Sequence, residues 1–160
     1  MTELACTPGQ TVGPFLDLGL PCDSVLVDDS DVAAIRLHGT VQDGAGEPIP
    51  DAVVELWQAD ARWGRAATDA AGRYSFTTVA PGRPPFFALT VFARGLLDRL
   101  FTRAYLPGAD LTADPVLRAV DSDRRATLLC VAESRAEYRF DIHLQGPRET
   151  VFLAYRGAGG

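Results

Sequence analysis

The chain has two histidines that could act as metal ligands, His38 and His143, each on the polar side of a predicted strand. Two ligands on one face of a strand need positions i and i+2, because successive side chains point to opposite faces. Neither histidine has a second histidine at that spacing. We therefore expect both to be exposed or interfacial, and we predict no metal site built by this chain alone.

The groups that could serve as nucleophiles are equally sparse. Cys6, Cys22 and Cys130 are widely spaced and match no zinc pattern, which favours reduced thiols in a cytoplasmic protein. Cys130 stands in the apolar run "TLLCV", where burial should keep the thiol inert. The sequence has no Gly-x-Ser-x-Gly elbow and no glycine-rich phosphate loop. Scattered carboxylates such as Asp60 and Asp69 flank turns, and we expect them to cap those turns.

Two stretches carry less ordinary combinations. Glu55 precedes Trp57 and Gln58 at the end of a predicted strand, which suits either the rim of a site or an interface. The turn "TVGPF", from Thr11 to Phe15, places an aromatic ring on a loose segment. Such a turn fits the surface of another protein, or it folds back on its own domain.

Arg94 is the third unusual feature, because it follows the apolar run "PPFFALTVFA". Its guanidinium cannot be buried without a partner. The planar fork of an arginine is well suited to holding a carboxylate. The alternative is that Arg94 simply reaches solvent beyond the strand.

The elements that position these residues are predicted to be short strands. Residues 1–33 are rich in Pro, Gly and Asp without a sustained period, which predicts an extended arm. Residues 34–156 contain seven or eight strand-like runs separated by turn residues, among them "ATLLCVA" and "ETVFLAY", and "VLRAV" predicts a short helical turn. Apolar residues alternate most clearly at Tyr138, Phe140, Ile142 and Leu144. An all-β sandwich is the fold predicted, with a flexible tail at 157–160.

Length and charge agree with one globular domain. The chain has 160 residues, 47% of them apolar and 22% charged. The net charge of −6 argues against a nucleic-acid or anionic-membrane partner. No stretch approaches a membrane span, and no secretory signal is visible at the start of the sequence.

Several motifs resemble the intradiol ring-cleavage dioxygenase family, over most of the chain. They are "TVGPF", "VELWQADA", "TDAAGRYSFTTVAPG", "FARG" and "FDIHLQG", in the order found in that family. The resemblance implies a β-sandwich of the intradiol dioxygenase, transthyretin-like type. Catalytic members carry a His-x-His pair on the strand after the Pro-Gly turn, where it binds ferric iron with two tyrosines from preceding loops. Phe86 and Ala88 occupy those histidine positions here, and the tyrosine-bearing loops are short.

The resemblance therefore implies that this chain is one subunit of a two-chain enzyme, and that the other subunit holds the metal. Fe(III) would belong to a β subunit of similar fold, and the α and β chains would form a hetero-oligomer. The implied reaction is the cleavage of protocatechuate by O₂ to 3-carboxy-cis,cis-muconate. In this family the α subunit helps to line the substrate pocket, which points here to Arg94 and to Thr11, Gly13, Pro14 and Phe15 of the turn. The family's turn often ends in tyrosine, and Phe15 lacks that hydroxyl group.

Two alternative functions are compatible with parts of the sequence, one of them non-enzymatic and the other that of a different enzyme. The core "DGAGEPIPDAVVEL…TDAAGRYSF" is equally typical of a non-enzymatic, transthyretin-like or carboxypeptidase-regulatory-like binding module. Such a module does not account for "TVGPF" or "FARG". The closing "AYRGAGG" is similar to the tail of hydroxyisourate hydrolases, which however need several histidines in set places.

Overall fold

In the computed structural model, residues 7–28, 30–108 and 114–155 are described. Two antiparallel-rich sheets pack face to face, so the predicted all-β sandwich is confirmed. The strands are β1 Ala34–Gln42, β2 Val53–Trp57, β3 Trp63–Ala67, β4 Arg73–Val79, β5 Phe86–Phe92, β6 Leu100–Tyr105, β7 Val131–Ala132, β8 Glu137–Arg139 and β9 Ile142–His143. One α-helix, α1 Pro115–Ala119, and two 3₁₀ turns, Asp17–Gly19 and Arg125–Leu128, complete the elements.

The strand order explains how the two layers form. One sheet has the order β4-β1-β8-β7, with β9 also pairing with β1, and the other has the order β3-β2-β5-β6. Strands β8 and β9 both run parallel to β1, whereas β4 runs antiparallel to it. The core lies between the sheets, where alternate residues of each strand are fully buried. Its largest members are Phe76, Phe87, Phe140, Leu37, Leu56, Leu89 and Ile142.

The alternation predicted for residues 138–144 is present, but it does not form one strand. Phe140 and Ile142 are buried while Asp141 and His143 on the other side stay partly exposed. The backbone breaks pairing between β8 and β9, and Phe140 donates its amide to the carbonyl of His38 at 2.7 Å. The alternation of buried and exposed side chains therefore continues across the break in backbone pairing between β8 and β9.

Two of the predicted strand-like runs are different in the structure. The run "ATLLCVA" begins as the 3₁₀ turn Arg125–Leu128, and only its last residues pair as β7. The run "ETVFLAY" contributes a single bridge, between Leu153 and Phe101. Both segments cover the outer edge of β6, and the bond from the Cys130 amide to the Tyr105 carbonyl at 2.8 Å shows the same role. The short helix predicted at "VLRAV" is confirmed as α1, which Asp114 caps.

The arm joins the sandwich at residues 23–26. The Arg65 amide on β3 donates to the Asp23 carbonyl at 2.9 Å, and Thr77 on β4 exchanges backbone bonds with Ser24 and Leu26. This segment therefore bridges the edge strands of both sheets. The first six residues of the arm, the Cys6 thiol among them, and the tail at 157–160 lie outside the described residues. None of the described residues form a helix with the length and apolarity that crossing a membrane requires.

Candidate functional site

The outer face of the four-stranded sheet carries the two positions that the resemblance assigns to iron ligands. On β5, Phe87, Leu89 and Val91 point into the core, so Phe86 and Ala88 point outward. Both outward residues are half-buried rather than part of the main core. Phe86 packs instead against a second, smaller apolar cluster. The inner face of this strand therefore belongs to the main core, whereas its outer face carries partly buried apolar side chains.

The surroundings of Phe86 do not fit a ferric ion. The Arg103 guanidinium lies 3.9 Å from the centre of the Phe86 ring, where it would repel a cation. Arg103 also pairs with Asp114 at 3.4 Å and approaches the Tyr105 hydroxyl at 3.3 Å. Burial raises the pKa of Tyr105 to about 12, so this phenol keeps its proton. A phenyl ring and a methyl group offer no lone pair, and these residues do not form an iron site.

The N-terminal turn lies beside the end of β5. The Thr11 hydroxyl accepts a hydrogen bond of 2.8 Å from the Gly95 amide, next to Arg94. A groove of about 190 Å³ separates this part of the arm from the loop after β5, with Val12 on one side and Leu97 on the other. The bond from the Gly95 amide to the Thr11 hydroxyl thus brings Thr11 close to Arg94, the residue before Gly95.

The remaining predicted residues of the turn face outward. The Leu16 amide bonds to the Gly13 carbonyl at 3.4 Å, which closes the tight turn expected at "TVGPF". Pro14 and Phe15 are both exposed, and Phe15 keeps 72% of its surface open to solvent. An exposed aromatic ring on a turn anchored at Thr11 is available for contact with another chain.

Asp51 is a member of this region that the sequence reasoning missed. Strands β2 and β5 pair with Val53 opposite Phe92, and the same register continued beyond the strands places Asp51 opposite Arg94. The Asp51 carboxylate forms an ion pair with Nε of Arg94. Its side chain is only 12% exposed, whereas that of Arg94 is 54% exposed. The only signal in the sequence was the antiparallel register, which requires knowing that these strands pair.

The tryptophan motif forms an exposed aromatic pair with a sheltered ion pair beneath it. The Trp57 and Trp63 rings pack edge to face with centroids 6.2 Å apart, and Trp57 is 51% exposed. Glu55 accepts a bond of 3.0 Å from Nε of Arg65, whose guanidinium lies over the Trp63 ring. Glu55 is therefore already paired within the chain, while the two rings remain open on the surface.

His38 lies with two glutamates that are distant in sequence. Its Nε2 atom is 3.1 Å from Glu133 and 3.7 Å from Glu137, on the outer face of the five-stranded sheet. Each carboxylate also pairs with an arginine, Glu137 with Arg36 at 3.2 Å and Glu133 with Arg139 at 2.8 Å. Because each carboxylate already pairs with an arginine, we interpret the cluster as a network of ion pairs on the protein surface.

The other candidate groups are not poised for chemistry. Cys130 is 5% exposed, and burial raises the pKa of its thiol to about 12, as expected for an inert side chain. Burial, followed by the charge of the nearby Arg148, lowers the pKa of His143, which favours the neutral imidazole. Cys22 is exposed at the base of the arm. We find no nucleophile paired with a base among the described residues.

Comparison with known proteins decides between the enzyme subunit and the binding module. Residues 36–118 match the family model of the carboxypeptidase regulatory-like domain, so the sandwich belongs to that domain family. Over 96% of its length, the chain is 36% identical to the protocatechuate 3,4-dioxygenase alpha chain of Burkholderia cepacia, of which it covers 99%. The chain belongs to the protocatechuate 3,4-dioxygenase alpha-chain family.

Further relatives agree with this assignment. The alpha chain of Pseudomonas putida is 33% identical, with 93% of this chain and 96% of the relative covered. The beta chain of Burkholderia cepacia is 31% identical over 70% of this chain and 64% of its own length. The dioxygenase domain of a dioxygenase–carbohydrate-binding fusion from Streptomyces sp. SirexAA-E superposes with a TM-score of 0.63 at 26% identity, covering 88% of this chain and 98% of that one.

Membership of the alpha-chain family accounts for features that a free-standing module leaves unexplained. The match spans the arm as well as the sandwich, so a non-enzymatic module is not favoured. The chain is a subunit of an intradiol dioxygenase. Its alignment with the Burkholderia chain extends over 197 positions, more than the 160 residues present, so the alignment contains gaps in this chain.

Proposed function

We propose that this chain is the α subunit of a protocatechuate 3,4-dioxygenase and that it does not hold the metal of the enzyme. The observation that carries the proposal is the outer face of β5 in a chain of the alpha family. Phe86 and Ala88 stand where the ligand pair is expected, and Arg103 covers Phe86 at 3.9 Å. Intradiol dioxygenases depend on Fe(III), so a partner must supply it.

The partner that fits is a β subunit of the same enzyme. A beta chain is 31% identical to this chain, which supports two chains of similar fold assembling as an α–β hetero-oligomer. The exposed aromatic side chains Phe15, Trp57 and Trp63 are the kind of surface that a permanent interface covers. We place the active site of the assembled enzyme near this interface.

The contribution of this chain to the reaction is to bind and orient the substrate. Protocatechuate carries a carboxylate on a catechol ring, and O₂ cleavage between its two hydroxyl-bearing carbons gives 3-carboxy-cis,cis-muconate. The redox chemistry is supplied by the ferric ion of the partner. Arg94 offers a charge and a planar fork complementary to the carboxylate. Thr11, Gly13, Pro14 and Phe15 form the wall beside it, and Phe15 can contribute ring contact but no hydroxyl hydrogen bond.

Co-expression with a β chain of the same family tests the proposal. We expect the two chains to co-purify and to cleave protocatechuate. The loss of the ultraviolet absorption of protocatechuate measures the cleavage. Each chain expressed alone serves as the control, and this chain alone should show no ring cleavage. Cleavage by this chain alone, or full activity of the β chain without it, would contradict the proposed role.

Arg94 can be tested separately in the assembled enzyme. Arg94→Ala should raise KM for protocatechuate about tenfold or more, since a charged hydrogen bond contributes ~1.5–3 kcal/mol. Arg36→Ala removes an exposed arginine from the other sheet and serves as the matched control, with KM unchanged. An unchanged KM in the Arg94 variant removes this residue from the pocket.

A further inference from the structure

We propose that Asp51 is a positioning residue, which holds the Arg94 guanidinium in the orientation needed to bind the substrate carboxylate. The inference rests on the proposed function, because it gives Arg94 its ligand. Asp51 lies in the loop before β2, opposite Arg94 in the extended register of β2 and β5. Its carboxylate pairs with Nε of Arg94.

The atom that makes this contact determines what the guanidinium can still do. An arginine fork has two edges, one formed by Nε with a terminal nitrogen and the other by the two terminal nitrogens. Asp51 approaches through Nε, and none of the hydrogen bonds found among the described residues uses a terminal nitrogen of Arg94. The outer edge of the fork therefore remains available for bidentate contact with a carboxylate.

The burial of Asp51 makes it a firm support. Its side chain is 12% exposed, and its Oδ1 atom is buried with no hydrogen-bond partner among the described residues. A sheltered carboxylate depends on its cation, because an unpaired buried charge is unfavourable. In contrast, the nearby pair of Asp98 and Arg99 is open, with the Asp98 side chain 84% exposed. Arg94 is thus held from its buried side while 54% of its own side chain faces solvent.

The backbone at the same point is fixed by the arm. The Gly95 amide donates to the Thr11 hydroxyl at 2.8 Å, so the residue after Arg94 is tied to the predicted wall of the pocket. Asp51 fixes the side chain of Arg94, and Thr11 fixes the adjacent peptide group. A flexible arginine at a strand end is converted in this way into an oriented one, which lowers the entropy lost when the ligand binds.

The test compares Asp51→Asn with wild type in the co-expressed α–β enzyme. Asparagine keeps the shape but loses the charge, so KM for protocatechuate should rise ~2- to 12-fold, the range set by ordering one long side chain. The inhibition constant of 4-hydroxybenzoate should rise by the same factor, whereas that of the neutral 4-hydroxybenzamide stays the same. A merely structural role moves both inhibition constants together. Glu137→Gln breaks an exposed ion pair on the other sheet and is the matched control.

The double variant Asp51→Asn with Arg94→Ala separates the possible failures. We expect it to match Arg94→Ala alone, because Asp51 acts through that residue. If Arg94→Ala leaves KM unchanged, the proposed function of Arg94 fails. If Arg94→Ala raises KM but Asp51→Asn does not, or if the two effects add, only the positioning role is overturned. Should the asparagine variant fail to assemble, Asp51→Glu retains the charge and must keep the preference for 4-hydroxybenzoate over 4-hydroxybenzamide; equal loss of both would refute the inference.

Discussion

We predict that Gln58, the last residue of the "VELWQ" motif, stabilises the fold through side-chain hydrogen bonds between the two sheets. Its side chain is 6% exposed at the end of β2, in one sheet. Its amide Nε2 donates to the Val79 carbonyl of β4 at 3.1 Å, and its Oε1 accepts from the Thr78 hydroxyl. Thr78 is fully buried and Val79 is half-buried, so the Thr78 hydroxyl cannot turn to water when Gln58 is replaced.

The magnitude follows from the groups left without partners. Gln58→Leu orphans the Thr78 hydroxyl and the Val79 carbonyl, at ~1–3 kcal/mol each before the gain from apolar burial, so we expect a net loss of about 2–3 kcal/mol. Thr78→Val orphans only the Gln58 oxygen and should cost about 1–2 kcal/mol. With both replaced, the Val79 carbonyl alone remains unpaired. The double variant contains neither the orphaned Thr78 hydroxyl nor the orphaned Gln58 oxygen, so its loss should fall short of the sum by about 2–3 kcal/mol.

Urea denaturation of the full chain measures these free energies of unfolding. Trp57 precedes Gln58 directly, and Trp57 and Trp63 are the chain's two tryptophans, so fluorescence reports on the region concerned. Gln42→Leu is the control, because the side chain of this half-buried glutamine makes one hydrogen bond among the described residues, to Thr40 at 3.3 Å. The loss in this variant should stay within about 0.5 kcal/mol. Strictly additive losses of unfolding free energy for the two substitutions, or a loss for Gln58→Leu as small as that of the control, would refute this role of Gln58.

Two further predictions concern packing and pH. A Cβ at Gly64 would lie 2.5 Å from Leu26 Cδ2, so Gly64→Ala should displace the 23–26 segment and lower stability by about 1–3 kcal/mol in thermal unfolding. Gly82→Ala, with nothing within 4 Å, is its control, and equal stability of the two variants would contradict the packing argument. Cys130 keeps its proton up to about pH 12 in the folded chain but only to about 9 when unfolded, so stability should fall as pH rises across this window, by up to ~1.4 kcal/mol per pH unit. Cys130→Ala should flatten that fall between pH 9 and 11 while exposed Cys22→Ala leaves it unchanged; parallel curves for all three proteins would count against it.

The fold could be predicted because its strands alternate and its turns carry strong signals. The apolar positions at Phe140 and Ile142 are buried as the pattern required. The pattern could not show that the ladder breaks between them, since side-chain period and backbone pairing are separate properties. The apolar run 126–132 is predicted as strand, yet its first residues belong to the 3₁₀ turn Arg125–Leu128, from which Leu128 is buried beside β6. Short apolar runs do not distinguish these two ways of reaching a core.

The candidate site was predictable only as far as its residues are unusual in themselves. Arg94 after an apolar strand and the "TVGPF" turn could be recognised from the sequence. Asp51 could not, because it is 43 positions from Arg94 and an aspartate in a Pro-Asp turn has an ordinary explanation. The same holds for the bonds of Gln58 to β4. The Asp51 contact depends on which strands pair, and the Gln58 bonds depend on how the two sheets pack against each other. Only the three-dimensional structure provides this information.

Iron analysis of the purified α–β complex tests the central claim most directly, that this chain belongs to the enzyme but does not hold its metal. The complex and each separated chain would be assayed for iron by mass spectrometry, together with the visible absorption of tyrosinate bound to Fe(III). We predict a single iron per α–β pair, all of it retained by the β chain, and none in this chain expressed alone. Iron bound stoichiometrically by this chain, or two irons per pair, would contradict the account.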